Sequence, residues 1–215
     1  MHRRAKLDAL FREIYEHYSA RDPKLVRRRL IPEALESRVM LIAQALGRDT
    51  QHLSGIPWNY PPAEHPTLSR SGRVLDKFLA GFGYTIRLGG GGQYAYSTDL
   101  AHYFPGRKSR GTGDVLPAGA EIALYRPWLE REIQLLEPVV VVTLGLPASR
   151  YFFQRYAGRR IKKLADIAGI PVSCRVLGRQ VDMIAVHHPS RGQRTSKETY
   201  RRAATHIRRI LAKTK

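Results

Sequence analysis

The sequence predicts an α/β protein, a three-layer α/β/α domain around a central four-stranded parallel sheet, and three observations predict it. Apolar runs of strand length alternate along the chain with stretches of helical periodicity, the order that strand–helix–strand units produce. Those runs, "VMLIA" and "VVVVTLG" among them, are close to continuously apolar, which marks strands covered on both faces. The 215 residues, 43% of them hydrophobic, suit one domain with a full core. The domain is therefore expected to span residues 1–215, with residues 1–30 a helical extension packed on it.

The elements follow in order. Leu7, Leu10, Phe11, Ile14 and Tyr18 recur at helical spacing, so residues 4–19 form a first helix, and Pro23 closes it. "RVMLIAQALG" (38–47) reads as a buried strand entering a turn. Four prolines and a glycine make residues 55–66 a loop. Val74, Leu75, Phe78 and Leu79 share one face of a helix over 69–84, which ends at glycine. "LGGGG" (88–92) is flexible, and "YAYSTDLAHYF" (94–104) is the second strand. A mobile basic loop follows at 107–114. Residues 119–138 are helical, with Pro127 at a break or in a first turn. The third strand is 139–145, a helix covers 147–157, and "VDMIAVHHP" (181–189) is the fourth strand. Thr195 and Glu198 have capping-box spacing before the last helix. That helix turns Tyr200, Ala203, Ile207, Ile210 and Leu211 to the core and Arg201, Arg202, Arg208, Arg209 and Lys213 outward.

Charge narrows the partners. Lys and Arg number 37 against 18 acidic residues, a formal net charge of +19. A compact domain with that excess repels itself unless a polyanion or an acidic membrane surface supplies counter-charge. Nucleic acid is the first choice, because arginine dominates lysine and its planar fork suits phosphates and base edges. No run reaches the roughly 18 apolar residues of a membrane span. The basic N-terminus carries Asp8, Glu13 and Glu16, so it reads as a folded helix rather than a transit peptide. Cys174 is the sole cysteine, which excludes internal disulfides, zinc ribbons and cysteine-ligated iron–sulfur clusters. A cytoplasmic location is expected.

In parallel sheets ligands sit at the carboxyl ends of the strands. Four such ends occur here: "AQALGRD", "STD", "TLGLPAS" and "HHPSRGQR". An imidazole on an apolar strand is commonly a core histidine; alternation sends His187 and His188 to opposite sides, so one can be structural while the other faces a site. The loop "SRGQR" is either a solvated turn or a wedge that enters a duplex beside phosphates. The turn at Gln44 is either a plain strand exit or a pair of amides presented to an oxyanion. Asp49 and Asp99 are each a cap residue or a working carboxylate. Trp58 and Tyr60 pack on prolines or stack on a base. Other chemistries find no support: "LGGGGQ" lacks the Lys-Ser/Thr of a phosphate loop, and neither His-Glu-x-x-His nor Gly-x-Ser-x-Gly is present.

Taken together, the four ends resemble the uracil-DNA glycosylase superfamily over roughly residues 30–212, most closely its family-four enzymes. A Gly-Glu-Ala-Pro-Gly-like loop is matched by "VMLIAQALG", Gly-x-Pro-Phe by "GIPW", and a Gly-x-Leu-Leu helix by "SGRVLDKFL". Tyr-Ile-Thr-Asn is matched by "YSTD", a Cys-x-Pro-x-Leu helix and Leu-Gly strand by "YRPWLEREIQLLEPVVVVTLG", and a His-Pro-Ser loop by "HHPSRG". The resemblance implies roles. His188 would donate to the base O2 as the bond to the sugar breaks, and the Gln44 amide would share that oxyanion. Trp58 would stack on the extruded base. Asp99 would stand where an asparagine reads the Watson–Crick edge. Pro61 and Pro62, in the 57–66 loop, would press one strand's phosphates, and Ser149 would bind another. Ser190, Arg191, Gly192, Gln193 and Arg194 would fill the gap left by the flipped nucleotide.

The chain also departs from the pattern. Leu46 replaces a proline, Gln44 a carboxylate, and Ala45 stands where other members carry a water-activating aspartate; Asp49 is the substitute expected. Tyr103 and Tyr125 occupy places of cluster cysteines, so no metal and no cofactor is expected. Asp99 for asparagine predicts weakened uracil selectivity, because a carboxylate does not donate unless protonated. The expectation is a monomeric, monofunctional DNA glycosylase that flips uracil or other deaminated or damaged bases from duplex or single-stranded DNA. The alternative is a non-catalytic binder of damaged or single-stranded DNA with the same fold.

Overall fold

A computed structural model describes residues 2–46, 51–60, 67–106, 115–190 and 193–214, with the backbone alone for 51, 52 and 193–196. The predicted loop 107–114 lies outside these residues. The N-terminal helix α1 (Arg3–Ser19) forms as its spacing predicts, with Leu7, Leu10, Phe11, Ile14 and Tyr18 all buried. Five strands build the main sheet: β1 (Val39–Ala43), β2 (Tyr96–Asp99), β3 (Val140–Leu144), β4 (Pro171–Val176) and β5 (Arg179–Val186). Four further long helices are α2 (Arg70–Ala80), α3 (Gly119–Leu136), α4 (Leu146–Ala157) and α5 (Gln193–Lys213). Among the described residues no helix is long and apolar enough to cross a membrane.

The strand order is β2-β1-β3-β5-β4. The first four are parallel, as the apolar runs predict, and every residue of β1, β2 and β3 is buried. Side chains alternate between faces, so a fully buried strand means a sheet covered on both sides.

The fifth strand corrects the four-stranded expectation. β4 pairs antiparallel with β5 through a two-residue turn, Leu177 and Gly178, with φ of 50° and 84°. Positive φ at both turn positions is the twist-matched hairpin geometry. The sequence hid it because β4 is a partly exposed edge strand, opens on Pro171, carries Arg175, and puts leucine where asparagine or glycine advertises such a turn.

Two smaller corrections concern helices. Pro127 lies inside α3, not at its start. Both Pro127 and Ala123, whose carbonyl loses its amide partner, are exposed, so water can satisfy that carbonyl. Thr195 is a helical residue, since α5 already begins at Gln193. Ser69 caps α2 with its side chain, which accepts from the Gly72 N–H at 3.0 Å.

Candidate active site

Register places the four parallel strand ends on one edge. Ala43 pairs with Asp99, Ile42 with Thr143, and Leu144 with Val186. The next residues along the chain are therefore neighbours: Gln44 and Ala45, Leu100, Gly145, and His187 and His188. The Leu100 N–H donates to the Ala43 carbonyl and the Gly145 N–H to the Val186 carbonyl, which ties the exits pairwise. Gln44 and Ala45 are both half-buried in the turn after β1.

β5 ends at Val186, so both histidines leave the strand rather than lie on it. The Tyr200 hydroxyl donates to the His187 carbonyl at 2.8 Å, which anchors this exit to α5. His188 turns back on itself: Ser190 Oγ lies 2.7 Å from its Nδ1, and the Ser190 N–H donates to the same nitrogen at 3.3 Å. A nitrogen that accepts from an amide carries no proton, so Nε2 holds it and is the ring's donor. Gly145 makes room for this ring. A Cβ there would stand 3.2 Å from His188 Cβ, and its φ of +88° is a glycine conformation.

Trp58 lies beside His188. Its ring centroid lies 5.8 Å from that of His188, tilted by 44°. The residue is clamped from three sides. Its indole N–H donates to Ser97 Oγ at 2.9 Å, its carbonyl accepts from the Ser69 N–H at 2.8 Å, and α2 approaches it at Gly72, where a Cβ would meet the carbonyl at 2.7 Å. Its own φ is +66°, a conformation that costs a bulky residue on the order of 1–3 kcal/mol and collects at ligand clamps.

Asp99 ends β2 with only 5% of its surface exposed. Burial pushes its carboxyl up from 3.8 to about 7; the Arg28 guanidinium pulls against that rise and the Glu132 carboxylate adds to it. Arg28, 5% exposed, faces Glu132, 0% exposed, at 3.1 Å. Its guanidinium also donates to the Ser97 carbonyl and to Thr98 Oγ1. It lies 4.6 Å from the Phe11 ring centroid and 4.7 Å from that of Tyr96. Glu132 accepts from the Tyr96 hydroxyl at 2.6 Å and the Tyr125 hydroxyl at 2.7 Å.

Sequence reasoning missed this buried network. One signal was readable: Glu132 falls on the apolar stripe of α3 with Tyr125, Leu129, Ile133 and Leu136, where a carboxylate needs a buried partner. Arg28 itself is masked by its neighbours in "RRR", a run that looks like a solvated surface.

The remaining predicted residues divide. Ser149 is fully buried; its Oγ donates to the Gly145 carbonyl at 2.8 Å and lies 2.9 Å from Thr143 Oγ1. That hydroxyl is committed inside the protein, so the expectation that it meets a phosphate is dropped. Ser190 is exposed beside His188. Gln193 and Arg194 are the first residues of α5 rather than part of a loop. Asp49, Pro61, Pro62, Arg191 and Gly192 lie outside the described residues.

Nor do the residues at the cluster-cysteine places suit an iron–sulfur centre. Tyr103 stacks on Tyr18 of α1 with 6.2 Å between ring centroids, and Tyr125 stacks on His102 at 5.9 Å. Such a cluster is held by thiolates. The one cysteine, Cys174, is on β4, at the opposite edge of the sheet from β2. Among the described residues no group of three or more His, Cys, Asp or Glu could hold a metal ion.

The family model of the uracil DNA glycosylase superfamily matches the chain over residues 32–214. No curated protein matches it.

Proposed function

The chain belongs to the uracil DNA glycosylase superfamily, and on that premise we propose that it cleaves the N-glycosidic bond of uracil and other deaminated bases in DNA after flipping the nucleotide out of the stack. The observation that carries the reading is the meeting of Trp58 and His188 at 5.8 Å, with His188 Nδ1 bonded to Ser190, on the sheet edge that also holds Asp99. A base stacked on Trp58 would have its O2 before the His188 Nε2–H and the Gln44 amide.

The chemistry then needs no covalent intermediate. The C1′–N bond breaks heterolytically; its electron pair stays on the base, and the charge is spread onto O2. His188 and the Gln44 amide stabilise that anion, each donor contributing about 3 kcal/mol, or roughly 10²-fold in rate. The sugar is left as an oxocarbenium, which the surrounding phosphates favour. Water adds at C1′ and loses a proton, the base takes one up, and an abasic site remains. Flipping costs on the order of a few kcal/mol, least at a mispaired base. Asp99 reads the outer edge of the base. In its neutral form it donates to O4 and accepts from N3–H of uracil, or O6 and N1–H of hypoxanthine. As a carboxylate it only accepts. Asp49 is the proposed water-activating residue. DNA is bound by a monomer, and a cytoplasmic location is proposed with it.

Ala45 favours the second reading, a non-catalytic binder of damaged or single-stranded DNA, because a methyl group cannot take a proton from water. The test is direct. Purified protein is incubated with an oligonucleotide carrying one uracil, and alkali-labile abasic sites and free base are counted for wild type and for His188→Ala. Base release by wild type alone supports the enzyme. Lesion-selective binding that survives His188→Ala, with no free base from either protein, supports the binder.

A further inference from the structure

Arg28 lies outside the span of the family match, which begins at residue 32, yet it reaches the base-reading edge from behind. Its guanidinium donates to the Ser97 carbonyl and the Thr98 hydroxyl, the two residues before Asp99. The Ser97 hydroxyl in turn accepts from the Trp58 indole. One buried cation therefore touches the residue that holds the stacking ring and the strand end that carries the reading carboxyl.

We infer that Arg28 is a positioning residue for substrate selection: it fixes the Ser97–Thr98–Asp99 edge against the flipped base and sets which hydrogen-bonding form of Asp99 that edge presents. This rests on the glycosylase reading for its consequence, but not for its physical content. The charges that act on Asp99 come from two elements, Arg28 in the segment after α1 and Glu132 on α3. The phenols of Tyr96 and Tyr125 surround them; burial holds both well above their ordinary range, so they stay neutral donors to Glu132. Arg28 outweighs Glu132 at Asp99 and opposes the effect of burial. Without the cation, the carboxyl holds its proton to higher pH, and the edge keeps its donor–acceptor form where it would otherwise turn acceptor-only.

A bulk structural role would leave no such signature, so the test reads Asp99 itself. The side-chain carboxyl ¹³C shift of Asp99 is titrated in wild type, in Arg28→Lys, and in Arg28→Gln/Glu132→Gln, which swaps the buried ion pair for a neutral one. Base excision from uracil and hypoxanthine oligonucleotides is followed against pH in the same proteins, with thermal melting to confirm folding. The double variant is expected to move the Asp99 midpoint up, because the larger of the two opposing influences is removed, and to shift the alkaline fall of uracil excision with it. Arg28→Lys is expected to keep the midpoint but raise KM several-fold, because an ammonium cannot span Ser97 and Thr98 as a planar fork does. In an Asp99→Asn background the same changes should leave the pH profile unmoved. A midpoint that stays put in folded double variant, or a profile shift that persists in the Asn background, overturns the inference. Should the double variant not fold, Arg28→Lys with unaltered KM overturns it. Wild-type protein that releases no base sinks the glycosylase reading instead, and the titration still decides whether Arg28 sets the state of Asp99.

Discussion

Replacing Asp99 with asparagine is the sharpest perturbation of the site, because it changes one atom and both stability and chemistry respond to it. A carboxyl that titrates at about 7 in the folded protein against 3.8 ordinarily makes the native state bind more protons than the unfolded chain between those two values. Stability therefore falls as pH rises across that window and levels off above it. The shift corresponds to about 4 kcal/mol at most. Asparagine has no such slope. The difference in unfolding free energy, Asp99→Asn minus wild type, should grow between pH 4 and 7 by up to about 4 kcal/mol and then stay flat, as read by urea denaturation at fixed pH values. All other titrations are common to both proteins and cancel.

Activity should follow the same proton. A neutral carboxyl and an asparagine amide present the same donor–acceptor pair to uracil. At pH 8 only about a tenth of Asp99 is neutral, and at pH 6 about nine tenths. The ratio of kcat/KM for uracil, Asp99→Asn over wild type, is thus expected to be near one at pH 6 and about tenfold at pH 8. His188 is common to both proteins, so its contribution cancels in the ratio. Parallel stability curves, or a ratio that does not change with pH, would show that Asp99 is ionised throughout and does not read the base.

Other outcomes follow from the same geometry. His188→Ala should lower kcat by roughly 10²-fold or more with little change in DNA affinity, measured under single-turnover conditions. Trp58→Ala should weaken binding of a single-stranded uracil oligonucleotide by about 1–3 kcal/mol, and Trp58→Phe, which keeps a ring but loses the Ser97 bond, by about 1 kcal/mol, both seen by fluorescence anisotropy. The affinity of a chain of charge +19 for DNA should fall steeply with salt, with a log–log slope of about −0.9 per phosphate neutralised; a flat response refutes the nucleic-acid partner. Excision rates should be the same in chelator as without it.

β1 and β3 were legible because they are covered on both faces, and burial throughout writes a nearly continuous apolar run into "VMLIA" and "VVVVTLG". β4 was not, since an edge strand answers to water on one side and carries Ser173 and Arg175 there. The site divides the same way. Trp58, Asp99 and His188 stand at strand exits or in proline-rich loops, where an aromatic, an acid or an imidazole has a positional meaning. Ser149 shows where this fails: a hydroxyl on the first turn of a helix looks like an anion ligand in sequence, but its contact with Thr143 Oγ1 depends on how α4 packs on β3. Arg28 and Glu132 are 104 positions apart, and no local pattern couples them.

Ala45 raises the question of how much is lost when the carboxylate is gone from this position and Asp49 has to serve in its place. Departure of the base leaves an oxocarbenium, an electrophile that neutral water attacks with little assistance. The demanding step is the separation of charge before that, and there, on the proposed function, the donors at His188 and Gln44 and the phosphates of the DNA would act together. A carboxylate beside C1′ serves partly to orient water and partly to offset the sugar's positive charge, a contribution of about 10²–10⁴-fold for general acid–base groups. On this mechanism its absence would slow the reaction without removing the means of breaking the bond, whereas loss of the His188 donor would act on the bond itself. Restoring the carboxylate with Ala45→Asp should then accelerate base release by about 10-fold or more in a protein that keeps His188, and do nothing in His188→Ala. An acceleration independent of His188 would mean that the bond breaks by a route in which the base leaves without its oxyanion being held.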